Sequence, residues 1–171
     1  PLAGAQWTVG QEHSIGFNIT GKIANVNIGY SNDNGADLYA HTVVSNLPVA
    51  QGPNTHLWTL PTDQPILSFN QAKLQVSDAV YSTVLATSPN FMVKGVLHLL
   101  TPSADNIIMT YGSAPYVITW DNNNGGPIEN VKISYSINEG VTYPNIIENS
   151  VAINPASKAW DIPNTIIGKK L

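Results

Sequence analysis

The sequence predicts an all-β chain folded as two tandem antiparallel β-sandwiches, and two observations predict it. The first is a series of short runs in which apolar and polar residues alternate, the pattern of a strand with one face in a core. The second is that the same strand and turn signals occur twice, in the same order, at a nearly constant offset. VNIGYSNDNG at residues 26–35 returns as VKISYSINEG at residues 131–140, with Val26, Ile28, Tyr30, Ser31 and Gly35 repeated as Val131, Ile133, Tyr135, Ser136 and Gly140. An internal repeat of this kind fixes the domain organisation before any other feature does.

Taken in order, Gly10 and the run Ile15-x-Phe17 correspond to Gly112 and Ile118-x-Trp120, one strand in each copy. Val26, Ile28 and Tyr30 form the next strand, which ends in the polar turn Asn32-Asp33-Asn34-Gly35. Its counterpart ends in Ile137-Asn138-Glu139-Gly140. Asn-Gly is a strong hairpin signal because both residues tolerate positive φ. LWTLP at residues 57–61 matches AWDIP at 159–163, and the proline, which cannot donate to a ladder, marks the end of that strand. His56 alternates in phase with Trp58 and Leu60, as a sheet residue does. Copy one continues through Leu74 and Val76 as a further strand, then through Phe91 and Val93. Copy two reaches Lys170-Leu171, which aligns with Lys73-Leu74, so its final strand is expected to be incomplete and its sheet edge open. The predicted domains are residues 1–94 and 95–171, about seven strands each, joined by a short linker.

Composition narrows the function. The chain has 171 residues, 43% of them hydrophobic, which suffices for packed cores, and no stretch is long enough for a membrane span. Charged residues make up 11%, against about 25% in an ordinary domain. Polarity comes instead from 19 Asn with Ser and Thr. All seven basic residues are Lys and the net charge is −4. Without Arg there is no bidentate fork for phosphate or carboxylate, and an acidic chain does not suit nucleic acid. With no Cys, disulfides, thiolate metal sites and Cys nucleophiles are excluded. The chain opens on Pro1 without a charged-then-apolar leader, which reads as a mature product or an excised fragment.

The order Gly, strand to an aromatic, V-x-I-x-Y-S, Gly turn, W-x-[LI]-P and K-L-x-V-S-D resembles the immunoglobulin-like or fibronectin-III-like repeats of secreted and cell-surface bacterial proteins. The segment NFMVKGVLHLLTP resembles the junction between tandem copies. Departures are Phe17 for the usual Trp, Asn34 for the first turn Gly, and Glu139 in copy two. The resemblance implies a non-enzymatic spacer or lattice-building module at the cell surface. The Arg-free, Asn-rich composition fits a surface-layer protein, with further copies of itself, neighbouring repeats or cell-surface glycans as partners. A carbohydrate-binding or accessory module of a secreted hydrolase and an adhesin stalk are the alternatives.

Candidate sites are few. SINEGVTY at residues 136–143 matches the sialidase Asp-box pattern S-x-[DN]-x-G-x-[ST]-[FWY], whereas residues 31–38 keep only its first half. Such boxes recur once per propeller blade of about 40–50 residues, so an interval of 105 residues (Ser31 to Ser136) favours a self-bonded turn. Asp33, Asn34 and Asp37 place three oxygens on one turn as a calcium candidate, and residues 121–124 offer another polar cluster. Calcium takes six to eight oxygen ligands, and neither loop supplies enough locally. Asn18 heads the sole N-x-[ST] sequon, a candidate glycosylation site. His13, His41, His56 and His98 lack metal spacing. The acids form no evident general acid/base pair, and there is no G-x-S-x-G elbow. Trp7, Trp58, Trp120 and Trp160 read as a sugar-stacking platform or as core, and the inward phase of Trp120 and Trp160, with Trp58 in the slot of Trp160, favours core packing. No catalytic or cofactor-binding residue is assigned.

Overall fold

The computed structural model describes residues 1–62, 68–104, 107–122 and 128–168. Apart from a 3-10 turn at Asn164–Ile166, the regular structure among these residues is all β. The chain divides into two compact units, Pro1–Val96 and the described part of Leu97–Asn123 with Ile128–Leu171.

Among the described residues the first unit holds eight strands: β1 (Gln6–Thr8), β2 (Glu12–Ile19), β3 (Asn25–Ser31), β4 (His41–Pro48), β5 (Gly52–Thr59), β6 (Ser68–Asp78), β7 (Leu85–Thr87) and β8 (Phe91–Lys94). One sheet runs β1-β8-β6-β3-β4, with β7 also on β6; the other is the antiparallel pair β2-β5. Alternation aims one face of each sheet inward. Ile15 from β2, Ile28 and Tyr30 from β3, Leu74 from β6 and Phe91 and Val93 from β8 are buried in one cluster. Fully burying each of the larger apolar side chains contributes roughly 1.5–3 kcal/mol. Tyr30 is fully buried, and its ring lies 5.4 Å from that of Trp58 on β5 in the opposite sheet.

The second unit repeats this with β9 (His98–Thr101), β10 (Tyr116–Asp121), β11 (Asn130–Tyr135), β12 (Asn145–Ala152) and β13 (Ser157–Trp160). The pair β10-β13 reproduces β2-β5, and β11-β12 reproduces β3-β4. Even the ladder irregularities coincide. Register shifts fall at Val26/Ile28 and Ile28/Gly29 in one unit, and at Val131/Ile133 and Ile133/Ser134 in the other. Tyr135 and Trp160, 5.0 Å apart, repeat the Tyr30–Trp58 contact between sheets. Lys158 of β13 and Glu148 of β12 add an ion pair at 2.8 Å. It links strands of the unit's two sheets and holds the Glu148 carboxyl below its usual range.

Several details differ from the sequence expectation. β1 runs parallel to β8, not antiparallel. It lies in the other sheet from β2, so its partner is the last strand of its unit instead of the next one. β9, the first strand of the second unit, pairs antiparallel with β10. Among the described residues the strand counts are eight and five, where about seven were expected in each. The aligned pair Lys170-Leu171 lies outside the described residues. Val96 packs on the first unit's core, so the division between units falls two residues beyond Lys94.

Candidate functional site

The repeated turn is bonded to itself in each unit. Ser31, at the end of β3, is buried, yet its hydroxyl is fully used. It donates to Asp33 Oδ1 at 2.8 Å and accepts the backbone N–H groups of Asp33 at 3.3 Å and Gly35 at 2.7 Å. A hydroxyl has one donor and two acceptor positions, so this accounts for all three. Asp33 Oδ1 in turn accepts the Asp37 N–H at 3.0 Å. These bonds, that of the Asp37 amide foremost and then that of the Ser31 hydroxyl, hold the Asp33 carboxyl below its usual range. Asn34 and Gly35 both take positive φ, 67° and 90°, as the Asn-Gly signal requires. The nine-residue connection from β3 to β4 is nonetheless longer than a two-residue hairpin.

The second unit builds the same network at the same offset. Ser136 donates to Asn138 Oδ1 at 2.7 Å and accepts the N–H groups of Asn138 at 3.1 Å and Gly140 at 2.9 Å. Asn138 Oδ1 accepts the Thr142 N–H at 3.0 Å. Tyr143 then covers the turn glycine, its hydroxyl 3.2 Å from where a Gly140 Cβ would stand. The first copy is completed too, one residue later than the pattern looks for it. Tyr39 lies over Gly35, its hydroxyl 3.0 Å from the corresponding point, and Leu38 and Tyr39 both adopt positive φ to absorb the extra residue. An aromatic beyond the turn glycine, sought with one residue of slack, would have found it.

The calcium candidates serve this turn. Asp33 Oδ1 and Asp37 Oδ1 accept backbone N–H groups, the latter that of Tyr39 at 3.0 Å. Asn34 is exposed and its N–H donates to Gln71 O. Asp37 Oδ2 is buried with His41 Nε2 3.6 Å away. Among the described residues no three His, Asp or Glu side chains are grouped as a metal site would need. In the other cluster Asp121 pairs with His98 at 3.0 Å, while residues 123 and 124 lie outside the described residues. Asn18 is exposed on β2.

The remaining histidines and the tryptophans sit in or on the cores. His13 stacks on Trp7 at 4.5 Å and 4°, and burial lowers its pKa. His56 is half-buried on the inward phase of β5. Trp7, Trp120 and Trp160 are buried, and Trp58 is packed against its core, so the four form no exposed row. In the first unit β3 is paired on both edges, by β4 and β6, whereas β11 has only β12 among the described residues.

No protein-family model matches the chain, and no curated protein matches it. Among solved structures, one of fibronectin(III)-like modules of Clostridium thermocellum CbhA is similar at 16% identity and a TM-score of 0.29, covering 95% of this chain and 76% of that one. The fold described above therefore rests on strand pairing and core packing.

Proposed function

We propose that this chain is a pair of immunoglobulin-like or fibronectin-III-like sandwich domains, serving as a non-enzymatic building block of an exported surface assembly. The lattice of a surface layer is the form that best fits its composition. One observation carries the reading. Strand pairing, ladder irregularities, the Tyr–Trp contact and the serine-anchored turn all recur between the units, so the residues that looked like a site are the scaffold's own period. A catalytic centre has no reason to appear twice with its serine hydroxyl and the neighbouring Oδ1 engaged in holding its own turn.

The mildly acidic, Arg-free surface suits packing against further copies or neighbouring repeats. Sedimentation velocity of the native protein tests this reading. Growth into large assemblies as concentration rises is expected. A species that stays monomeric and is retained on immobilised polysaccharide would replace it with the accessory-module reading.

A further inference from the structure

The turns of the two units match position by position, Ser31 to His41 against Ser136 to Asn145, except that the first carries one extra residue. His41 lies opposite Tyr30 in the β3–β4 ladder, as Asn145 lies opposite Tyr135 in the β11–β12 ladder. Asp37 stands where the second turn has Thr142. The first turn therefore holds an acid and a histidine that its counterpart replaces with groups that do not titrate, so the shared scaffold does not require them.

Asp37 and His41 are placed against each other. Asp37 Oδ1 accepts the Tyr39 N–H at 3.0 Å. Asp37 Oδ2 is buried without a hydrogen-bond partner, 3.6 Å from His41 Nε2. A buried carboxylate oxygen left unsatisfied is costly, and a donor relieves it. A protonated imidazole always presents an N–H at Nε2, together with its charge. The Tyr30 and Tyr39 phenols are pushed up by burial and then by the Asp37 charge, so that charge is felt within the unit. Between the two members of the pair lie Leu38 and Tyr39, at φ 56° and 59°, a left-handed backbone that bulky residues rarely adopt. Leu38 is 86% exposed, so core packing does not hold it there.

The other ionisable groups about the pair are the Asp33 carboxyl and Tyr39 phenol in the turn and the Tyr30 phenol on β3. In the opposite sheet β5 contributes His56 on its inward phase, and Lys73 of β6 is on the far side of β3 from His41.

We propose that Asp37 and His41 form a pH-dependent clasp that closes over the strained residues 38–40 when His41 takes up a proton. Protonated His41 donates from Nε2 to Asp37 Oδ2, which gains the partner it lacks, and the chain between them is held in its left-handed conformation. With His41 neutral the ion pair is lost and residues 38–40 open more often. Within the range where carboxylates are ionised, the stabilisation is fully present below the unfolded histidine value of about 6.5 and is lost as pH rises past it. Mild acid therefore tightens this turn, and the second unit, with Thr142 and Asn145, has no such response. The clasp stands whether or not the protein builds a lattice.

The test is amide hydrogen exchange of the isotope-labelled 171-residue chain, read by NMR from about pH 5 to about pH 8.5 with a chelator present and corrected for the intrinsic pH dependence of exchange. The Leu38 and Tyr39 amides, which donate to Gly35 O and Asp37 Oδ1, should be about fivefold better protected at the acid end. The Val141 and Thr142 amides, which donate to Asn138 O and Oδ1, should not respond. His41→Gln keeps a donor that does not titrate, and Asp37→Asn keeps an oxygen for the Tyr39 amide. Each should abolish the pH dependence while the amides of β3 stay protected. Protection at Leu38 and Tyr39 that is constant across the range, that rises with pH, or that keeps its pH dependence in either variant would overturn the proposal. An equal response at Val141 and Thr142 would do so as well.

Discussion

The hydroxyl of Ser31 accepts the backbone N–H of Gly35 at 2.7 Å, and both residues have counterparts in Ser136 and Gly140, joined at 2.9 Å. In each unit one buried side chain thereby fixes the exit of the strand at the centre of the core. Removing it leaves buried backbone donors without partners.

Ser31→Ala should destabilise the first unit by about 1–3 kcal/mol, and Ser136→Ala the second by a similar amount. Hydrogen exchange read residue by residue separates the units. Each substitution should speed exchange at its own turn glycine, and a uniform change across both units would contradict the assignment.

The two turns should answer differently to acid. The Asp33 carboxyl is held below its usual range in the folded state, by the Asp37 amide and then the Ser31 hydroxyl. Its stabilising contribution is therefore fully present above the unfolded value of about 3.9 and is lost as pH falls through the lower folded value. Asn138, its counterpart, does not titrate. In an NMR titration from pH 6 to pH 2, the Asp37 amide should shift with Asp33 ionisation. The Thr142 amide should show no such step, and Asp33→Asn should make the step at Asp37 smaller.

Gly29 has no room for a side chain: a Cβ there would stand 2.9 Å from the Tyr39 carbonyl oxygen. The second copy has Ser134 at this position, where the covering tyrosine arrives one residue earlier. Gly29→Ala should cost about 1–3 kcal/mol. Ser134→Gly should cost only about 0.5–1 kcal/mol, from backbone entropy. Urea denaturation curves resolve the difference, and equal costs would contradict the packing described for Tyr39.

Much of this was legible because it is local. Period-two alternation marks β2, β3, β10 and β11, and Trp-x-[Leu/Ile]-Pro marks the ends of β5 and β13. β4 and β12 show no clean alternation, since the ladder irregularities shift their phase. β7 is exposed throughout and has no pattern to read. The parallel pairing of β1 with β8 joins opposite ends of a unit, and such a contact leaves no trace in spacing. The turn looked like a candidate site because serine, acid, Asn and Gly are also the residues of ligand loops. Its hydrogen bonds, which only the folded chain displays, assign them to the backbone.

The Trp160 contact with Tyr135 is central to the smaller core. Trp160→Ala should destabilise the second unit by about 3–5 kcal/mol. Trp58→Ala should cost the first unit less, because Trp58 is only half-buried and the surrounding cluster is larger. Calorimetry should then show two transitions with the second unit melting first in Trp160→Ala. A single unchanged transition would contradict it.

Electron microscopy of the native protein under conditions that favour ordered assembly tests the central claim most directly. The scaffold reading predicts a regular array whose repeating mass accommodates these two units. Particles that remain strictly monomeric under those conditions would contradict it.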